Sequence, residues 1–162
     1  MATEHGFLHT PLGWLRVECT DGALVSVDYL EHPPGPQAPS PGSCVDLAMA
    51  WLEAYFAGTL LPGHPPLAPQ GTPFQQAVWQ ALAAIPPGQT RTYGELARML
   101  GTAPRAVGGA LRSNPTPLFI PCHRIVAAHG LGGYDGGAEA GLRRKRWLLA
   151  HESGAARPTP GS

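Results

Sequence analysis

The stretch Thr92–Arg112 reads TYGELARMLGTAPRAVGGALR and predicts two short helices joined by a tight turn. Thr92, followed three residues later by Glu95, forms a capping box, which favours a helix that begins here and runs to Leu100. The glycine after Leu100 predicts the end of that helix, because glycine readily adopts the left-handed conformation. A second helix is expected over Arg105–Arg112. Such a pair is a helix–turn–helix, a common DNA-docking arrangement.

The second of these helices is almost bare of long side chains. A helix that reads base edges in the major groove normally carries several long polar groups. Small residues instead permit close approach to a backbone or a narrow groove, where a single arginine can wedge into the base stack. A small-residue helix packed against a neighbouring helix is an alternative that stays open. The residues concerned are Ala103, Ala106, Gly108, Gly109, Ala110, Arg105 and Arg112.

A helix is also predicted upstream of this pair. Thr72 and Gln75 form another capping box around a proline, so the helix is expected to run from Pro73 to Ala84 and to end at the Ile-Pro-Pro-Gly sequence that follows. Its predicted core face comprises Phe74, Ala77, Val78, Ala81 and Leu82.

Residues 1–69 have the pattern of a small α/β lobe. Ser43 is expected to cap a helix that runs to about Ala57, with Gly58 as its stop. The segment from Glu31 to Gly42 is rich in proline and glycine and predicts a loop. Short alternating runs separated by turn sequences predict an antiparallel sheet. Its three strands are expected at Phe7–Thr10, Trp14–Cys19 and Ala23–Tyr29.

The segment Asn114–Ile125 places a thiol directly beside an imidazole, in Cys122 and His123. Three prolines disfavour helix here, so a stiff, extended segment is expected. The apolar run Leu118–Ile120 should bury itself and leave Cys122 at a buried edge that a substrate can reach. An inert, buried cysteine is the alternative interpretation, since unpaired cysteines are commonly buried.

Charge is distributed unevenly along the chain although its total is zero. Up to Gln70 there is one basic residue, Arg16, against seven acids, whereas from Gly71 onward there are ten bases, nine of them arginine, against four acids. Arginine suits phosphates and base edges. The pattern therefore favours a nucleic-acid-binding second half attached to a structural first half, although a solvated basic face is also compatible with it.

Cysteine and hydropathy patterns exclude several other classes. Cys19, Cys44 and Cys122 are odd in number and lack CxxC spacing, so reduced thiols are expected rather than a disulfide framework or a cysteine-rich zinc site. No apolar run approaches the about 18 residues of a membrane span, and the N-terminus has no signal-like pattern, so a cytoplasmic location is expected. A zinc site assembled in space stays open, although its spacing matches no metal motif. Its candidates are His5, His9, Cys19 and His64.

A series of short motifs fills the second half of the chain. They are Thr72-Pro73-Phe74-Gln75, Ile85-Pro86-Pro87-Gly88-Gln89-Thr90, Tyr93-Gly94-Glu95-Leu96-Ala97, Arg105-Ala106-Val107-Gly108-Gly109-Ala110, Asn114-Pro115, Pro121-Cys122-His123-Arg124, Gly133-Tyr134-Asp135-Gly136-Gly137 and Lys145-Arg146-Trp147-Leu148-Leu149. In this order they resemble the O6-alkylguanine-DNA alkyltransferases, or methylated-DNA–protein-cysteine methyltransferases. The resemblance covers essentially all of Thr72–Glu152.

The resemblance implies an α+β protein of two lobes. Residues 1–69 would form a structural lobe similar to a ribonuclease-H-like roll, with a three-stranded antiparallel sheet and a helix. Residues 72–152 would form a mostly helical, winged-helix-like lobe that binds DNA and accepts the alkyl group. Residues 153–162 are expected to be a flexible tail.

The resemblance also implies single-turnover repair of double-stranded DNA. O6-alkylguanine, and by extension O4-alkylthymine, would be flipped out of the duplex, and its alkyl group would pass to Cys122. His123 would act as base through a water, Glu152 would orient that imidazole, Asn114 would hold the pocket backbone, and Tyr93 would donate a proton to the leaving base. No metal or organic cofactor is implied, no membrane is involved, and a monomer is expected.

Further residues are assigned to DNA and to the base pocket by the same resemblance. Arg105 would be the finger that fills the gap left by the flipped nucleotide. The other DNA contacts would be Thr92, Ala103, Ala106, Gly108, Gly109, Ala110, Arg112 and Ser113. The pocket would include Tyr134, Asp135, Pro121 and Ile125, and Asp135 departs from the small residue usual in the family.

Three rival functions remain to be weighed against this one. A non-catalytic alkyltransferase-like protein that recruits other repair factors would lack the acceptor cysteine, and Cys122 argues against it. A plain helix–turn–helix regulator would leave the bare second helix and the thiol without a purpose. A Cys-His hydrolase would need an oxyanion-binding arrangement, which the sequence does not indicate.

Overall fold

The computed structural model describes residues 3–35, 43–59, 61, 63–134 and 139–154. The fold is α+β, and the chain divides into two compact units, Met1–Gln70 and Gly71–Ser162. The strands are β1 (Thr3–Thr10), β2 (Gly13–Thr20), β3 (Ala23–Tyr29), β4 (Arg91–Thr92) and β5 (Ile125–Val126). The helices are α1 (Cys44–Phe56), α2 (Pro73–Ala83), α3 (Tyr93–Leu100), α4 (Pro104–Arg112) and α5 (Glu139–Ser153).

In the first unit α1 packs against an antiparallel sheet of order β1-β2-β3, as the sequence predicts. The alternation of the strands buries Leu15, Val17 and Leu24 completely. Gly6 on β1 allows the close approach of α1, because a Cβ atom at this position would collide with Val45 and Met49. The predicted strands are correct in order and pairing, with β1 four residues longer than expected at its start.

A disulfide joins Cys19 on β2 to Cys44 at the start of α1, so the expectation of reduced thiols was wrong for this pair. The two residues are 25 positions apart with no recognisable spacing, and the packing of α1 on the sheet brings their Cα atoms to 6.2 Å. The bond also removes Cys19 from the candidate zinc ligands. Within the described residues there is no group of three or more His, Cys, Asp or Glu side chains that could hold a metal ion.

In the second unit α2 begins at the predicted capping box, with Thr72 and Gln75 bonded reciprocally. Its predicted core face is confirmed in part: Val78 and Leu82 are 0% exposed. Phe74 and Ala77 are exposed instead of buried, and Trp79, which lay outside the predicted face, is only 2% exposed. The Trp79 indole N–H donates to the carbonyl oxygen of Ala110 in the last turn of α4, at 2.9 Å. The indole therefore ties α2 to α4 and satisfies a carbonyl that the helix end leaves without a partner.

The helix–turn–helix geometry follows the sequence closely. Thr92 caps α3 and exchanges hydrogen bonds with Glu95, and Gly101 ends the helix in the left-handed region at φ +65°. After a short turn, α4 begins at Pro104, one residue before the predicted start. Val107 and Ala110 of α4 are buried, and α4 packs on both α2 and α3.

The segment before Cys122 is not the extended segment that its prolines suggested. The backbone folds back on itself, with the Ile120 N–H bonded to the Thr116 carbonyl and Leu118 in the left-handed region at φ +78°. The expected burial of the apolar run is confirmed, since Leu118, Phe119 and Ile120 are at most 6% exposed. Proline fixes only its own φ, so three prolines are compatible with a compact loop.

Helix α5 was not predicted from the sequence, and it carries Lys145 and Glu152 on its inner side. The helix includes Ser153, which is the first residue of the expected flexible tail. The rest of the expected tail from residue 155, Asp135 and residues 36–42 of the predicted loop lie outside the described residues. No helix in the described part of the chain is long and apolar enough to cross a membrane.

Candidate active site

Cys122 begins a 3-10 turn, Cys122–Arg124, that leads directly into β5. The turn is held by main-chain bonds, with the Cys122 N–H donating to Ile120 and the Arg124 N–H donating to Pro121. Cys122 keeps its thiol and is half-buried. β5 pairs in parallel with β4, so the turn that carries the thiol is joined through β5 to the strand that immediately precedes α3. A half-buried thiol on a rigid turn suits a nucleophile.

His123 and Glu152 form the predicted pair. Their Nε2 and Oε2 atoms are 2.6 Å apart, and the two side chains are 0% and 2% exposed. A carboxylate can only accept, so Nε2 carries the proton that is donated to Glu152. Nδ1 is then the lone-pair nitrogen of a neutral ring. This atom is buried and has no hydrogen-bond partner among the described residues.

Arg124 binds the same carboxylate and is a site residue to which sequence reasoning gave no role. Its Nε donates to Oε1 of Glu152 at 2.8 Å, and a terminal nitrogen donates to Oε2 at 2.9 Å. The other terminal nitrogen donates to the carbonyl oxygen of Ile85, just after α2, at 2.6 Å. The basic residue inside the Pro-Cys-His-Arg motif could have signalled this role, because a buried acid requires a charged or hydrogen-bonding partner.

The surroundings favour a neutral imidazole at His123. Burial lowers the pKa of His123 below its usual 6.5, the hydrogen bond and the charge of Glu152 raise that pKa, and the charges of Arg124 and Lys145 lower it further. The net direction is downward. Tyr134 packs edge-on against the ring, with centroids 6.4 Å apart, and is itself buried. A neutral ring at neutral pH can accept a proton, as a general base must.

Lys145 is a second site residue that sequence reasoning missed. Its ammonium is fully buried and donates to the carbonyl oxygens of Ile125 at 2.6 Å and Gly133 at 2.9 Å. Burial lowers its pKa from 10.5 to about 8, and the charge of Cys122 acts in the opposite direction. A signal exists in the sequence: Lys145 is the only lysine in the chain, and lysine can give up its charge when buried whereas arginine cannot.

Asn114 lies where a pocket-supporting residue is expected. Its amide nitrogen donates to the Ile120 carbonyl at 2.8 Å, and its oxygen accepts from the Thr116 N–H at 3.0 Å. The side chain thus ties both arms of the loop that carries Cys122. Replacement by a shorter side chain would leave two main-chain groups of this loop without their partner.

Tyr93 stands at the first residue of α3 and faces the loop that leads to Tyr134. Its hydroxyl accepts a hydrogen bond from the Gly133 N–H at 3.3 Å. Gly132, at φ +76°, has no room for a side chain, because a Cβ atom there would lie 2.8 Å from the phenol ring and oxygen of Tyr93. The phenol is therefore positioned by the helix–turn–helix on one side and by this loop on the other.

The residues assigned to DNA fall into exposed and engaged groups. Arg105, Ala103, Arg112 and Ser113 are exposed at the two ends of α4, and Ala106, Gly108 and Gly109 are partly exposed along it. Ala110 is buried, and the hydroxyl of Thr92 is engaged in capping α3. The assignment of these residues to DNA contact stays a prediction. Among the pocket residues, Pro121 is buried and Ile125 is 0% exposed, and their contact with a substrate likewise stays a prediction.

Comparisons with known proteins agree with this arrangement. The family model described as 6-O-methylguanine DNA methyltransferase, DNA binding domain, matches residues 73–154. The methylated-DNA–protein-cysteine methyltransferase of Mycobacterium tuberculosis is 41% identical over 156 residues, which cover 92% of each chain. That of Methanosarcina acetivorans is 53% identical over 104 residues, which cover 62% of this chain and 64% of the relative. The crystal structure of Mycobacterium tuberculosis OGT in complex with DNA superposes with a TM-score of 0.80 at 40% identity, covering 96% of each chain.

An α+β chain whose helix–turn–helix unit holds a half-buried thiol beside a buried imidazole–carboxylate pair has the fold and site of a cysteine-dependent alkyltransferase. Both the family model and the near full-length relatives match this chain. The chain belongs to the methylated-DNA–protein-cysteine methyltransferase family.

Proposed function

We propose that the protein repairs DNA by direct reversal, transferring an alkyl group from O6 of guanine in duplex DNA to its own Cys122. The observation that carries this proposal is the half-buried Cys122 thiol next to the buried His123–Glu152 pair, in the unit that contains the helix–turn–helix. The relatives named above bear a matching name, and one was crystallised with DNA.

The first step is activation of the thiol. A thiol with an ordinary pKa of about 8.5 is mostly protonated at neutral pH, so it needs a base or a nearby positive charge. Nδ1 of His123 takes the thiol proton through a water, while Glu152 holds the ring by its Nε2–H. The buried ammonium of Lys145 favours the thiolate by its charge.

The second step is displacement at the alkyl carbon. The thiolate sulfur forms a bond to this carbon while the carbon–O6 bond breaks, and the electron pair of that bond stays with the guanine. Tyr93 donates a proton toward a ring nitrogen of the leaving base, and the proton taken from the thiol restores the tyrosine. The products are unmodified guanine and a thioether. A thioether has no hydrolysable bond, so each molecule reacts once.

Docking on DNA is assigned to the exposed side of α4. The base must leave the stack before its O6 atom can be reached, and Arg105 at the start of α4 fills the gap it leaves. We infer that α3 and α4 belong to a winged-helix-like lobe that binds DNA. We also infer that the first unit is a ribonuclease-H-like roll with a structural role. This function implies that the protein is a cytoplasmic monomer that acts on chromosomal DNA.

The test follows the DNA product in a single-turnover reaction. A duplex with one O6-methylguanine is incubated with the protein, digested to nucleosides and separated by chromatography. Guanine is expected to reappear in proportion to the protein added, and Cys122→Ser is expected to bind the duplex without restoring guanine. If Cys122→Ser restores guanine as well as the unaltered protein does, the acceptor assignment is wrong.

A second variant tests the docking assignment. Arg105→Ala is expected to lower both the affinity for the duplex and the transfer rate, on the order of ten-fold or more. Arg146→Ala removes the same charge from an exposed position on α5 and serves as the matched control. If the two substitutions have equal effects, Arg105 is an ordinary phosphate contact and not the residue that fills the gap left by the flipped base.

A further inference from the structure

The guanidinium of Arg124 is buried at the candidate site and fully engaged in hydrogen bonds there. It makes three of them, two to Glu152 and one to the Ile85 carbonyl, and the Arg124 side chain is 8% exposed. The bond to Ile85 fixes the guanidinium to the end of α2. The two bonds to Glu152 form a bidentate fork, the geometry in which arginine binds a carboxylate best.

Glu152 therefore serves two partners at once. Its Oε2 atom accepts from both His123 and Arg124, and its Oε1 atom accepts from Arg124. A buried carboxylate that faced only an imidazole would draw a proton onto the ring and form an imidazolium–carboxylate pair. A carboxylate already paired with a guanidinium has its charge balanced, so the ring gains little by becoming positive.

We propose that Arg124 is a positioning residue that keeps His123 neutral and in the Nε2–H tautomer, by pairing with Glu152 and holding that carboxylate in place. The inference rests on the proposed function for its consequence, since only a neutral ring can take the thiol proton. The protonation state proposed for His123 is that of the protein without DNA.

The groups around the ring act on the pKa of His123 in opposite directions, and the net effect is downward. Burial is the largest influence on the pKa of His123 and lowers it, Glu152 raises it, and Arg124 and Lys145 lower it. Tyr134 faces the ring with its edge, and the half-buried Cys122 adjoins it in the 3-10 turn. Removal of the Arg124 charge leaves Glu152 as the stronger of the remaining charged neighbours, because it bonds to the ring directly.

The first experiment needs no change at Arg124. Nitrogen-15 NMR of the labelled protein without DNA distinguishes imidazolium from either neutral tautomer, with His123→Gln identifying the signal. At pH 7 we expect neutral His123 protonated at Nε2. A doubly protonated ring, or the Nδ1–H tautomer, would overturn the proposal even if alkyl transfer proceeds normally.

The second experiment separates charge from geometry. Arg124→Gln is expected to increase the doubly protonated fraction of His123 and to slow single-turnover transfer at pH 7, with recovery as the pH is raised. Arg124→Lys keeps the charge without the fork, so its NMR spectrum should stay closer to that of the unaltered protein. Arg124→Gln combined with Glu152→Gln should return His123 to the neutral form.

The outcomes are distinguishable from failure of the proposed function. If Arg124→Gln leaves both the His123 spectrum and the pH profile unchanged, the positioning role is wrong while alkyl transfer stands. If the spectrum changes as expected but no variant or unaltered protein transfers alkyl groups, the function is wrong while the role of Arg124 stands. Should Arg124→Gln not fold, Arg124→Lys and the spectrum of the unaltered protein decide the matter.

Discussion

At Thr116 the protein buries a hydroxyl that has no hydrogen-bond partner among the described residues. Thr116 is 0% exposed, and its Oγ1 atom is inaccessible and unbonded. Its main-chain groups are used by Asn114 and Ile120, so the backbone holds the side chain in place. A buried polar group without a partner costs about 1–3 kcal/mol.

Thr116→Val is therefore expected to stabilise the protein by about 1 kcal/mol, because valine has nearly the same shape and no hydroxyl to bury. Urea unfolding followed by circular dichroism measures the change. Thr90→Val, at an exposed position, is the control and should stay within about 0.5 kcal/mol of the unaltered protein. A lower stability for Thr116→Val would show that the hydroxyl has a partner in solution.

Lys145 provides a second test at the scale of one residue. Its charge and that of Cys122 favour each other, so Lys145→Met should lower the thiolate fraction and slow alkylation of Cys122 by iodoacetamide at pH 7, on the order of ten-fold. Arg146→Met, its exposed neighbour on α5, is the matched control. Equal alkylation rates for Lys145→Met and the control would show that the charge of Lys145 does not favour the Cys122 thiolate.

Individual site residues could be predicted where a motif placed them, but not where burial gives them their role. Cys122 and His123 are adjacent in sequence, and the structure places Glu152 against His123 as the family resemblance implies. Arg124 stands inside a motif and Lys145 is the only lysine, but neither signal says what the side chain contacts. Their roles depend on the loss of water around them, which spacing does not encode.

The turn between α3 and α4 contains a glycine, Gly101, whose backbone conformation other residues rarely adopt. Gly101 ends α3 at φ +65°, and a Cβ atom there would meet nothing within 4 Å. Gly101→Ala should therefore cost about 1 kcal/mol through backbone conformation alone, and Gly101→Asn should cost less. Gly130→Ala is the control, since Gly130 has the same open surroundings without the left-handed φ. Thermal unfolding of the three variants gives the comparison, and equal costs at Gly101 and Gly130 would contradict it.

Elements were predictable where local signals mark their ends. The cap at Thr72 and the Ile-Pro-Pro-Gly sequence specify α2, and the cap at Thr92 and Gly101 specify α3, almost to the residue. The face of α2 was predicted only in part: Val78 and Leu82 are buried as expected, whereas Trp79 was missed, and its indole bond to α4 accounts for its burial. Helix α5 was missed because four consecutive basic residues, Arg143–Arg146, interrupt its apolar pattern, and Lys145 and Trp147 on its inner side are buried.

For the molecule as a whole, the sequence indicated two lobes of opposite charge and missed the covalent bond inside the first. Charge and turn signals are local, whereas the contact between Cys19 and Cys44 exists only once α1 lies on the sheet. A bond between residues 25 positions apart should stabilise the first unit by about 3 kcal/mol.

Reduction of this bond is expected to destabilise the first unit and to leave alkyl transfer by the second unit largely intact. Hydrogen exchange measured by mass spectrometry, with and without dithiothreitol, should show protection lost in α1 and kept in α2. Cys44→Ser should reproduce the effect of the reductant. Equal loss of protection in both helices would mean that the stabilisation is not confined to the first unit.

The central claim, that Cys122 accepts the alkyl carbon, is tested most directly by peptide mass mapping of the protein after incubation with excess duplex carrying O6-methylguanine. The expected result is a single added methyl group, located on Cys122, with Cys19 and Cys44 unmodified. An unmodified Cys122 peptide beside DNA that stays methylated, or a methyl group on any other residue, would contradict the account.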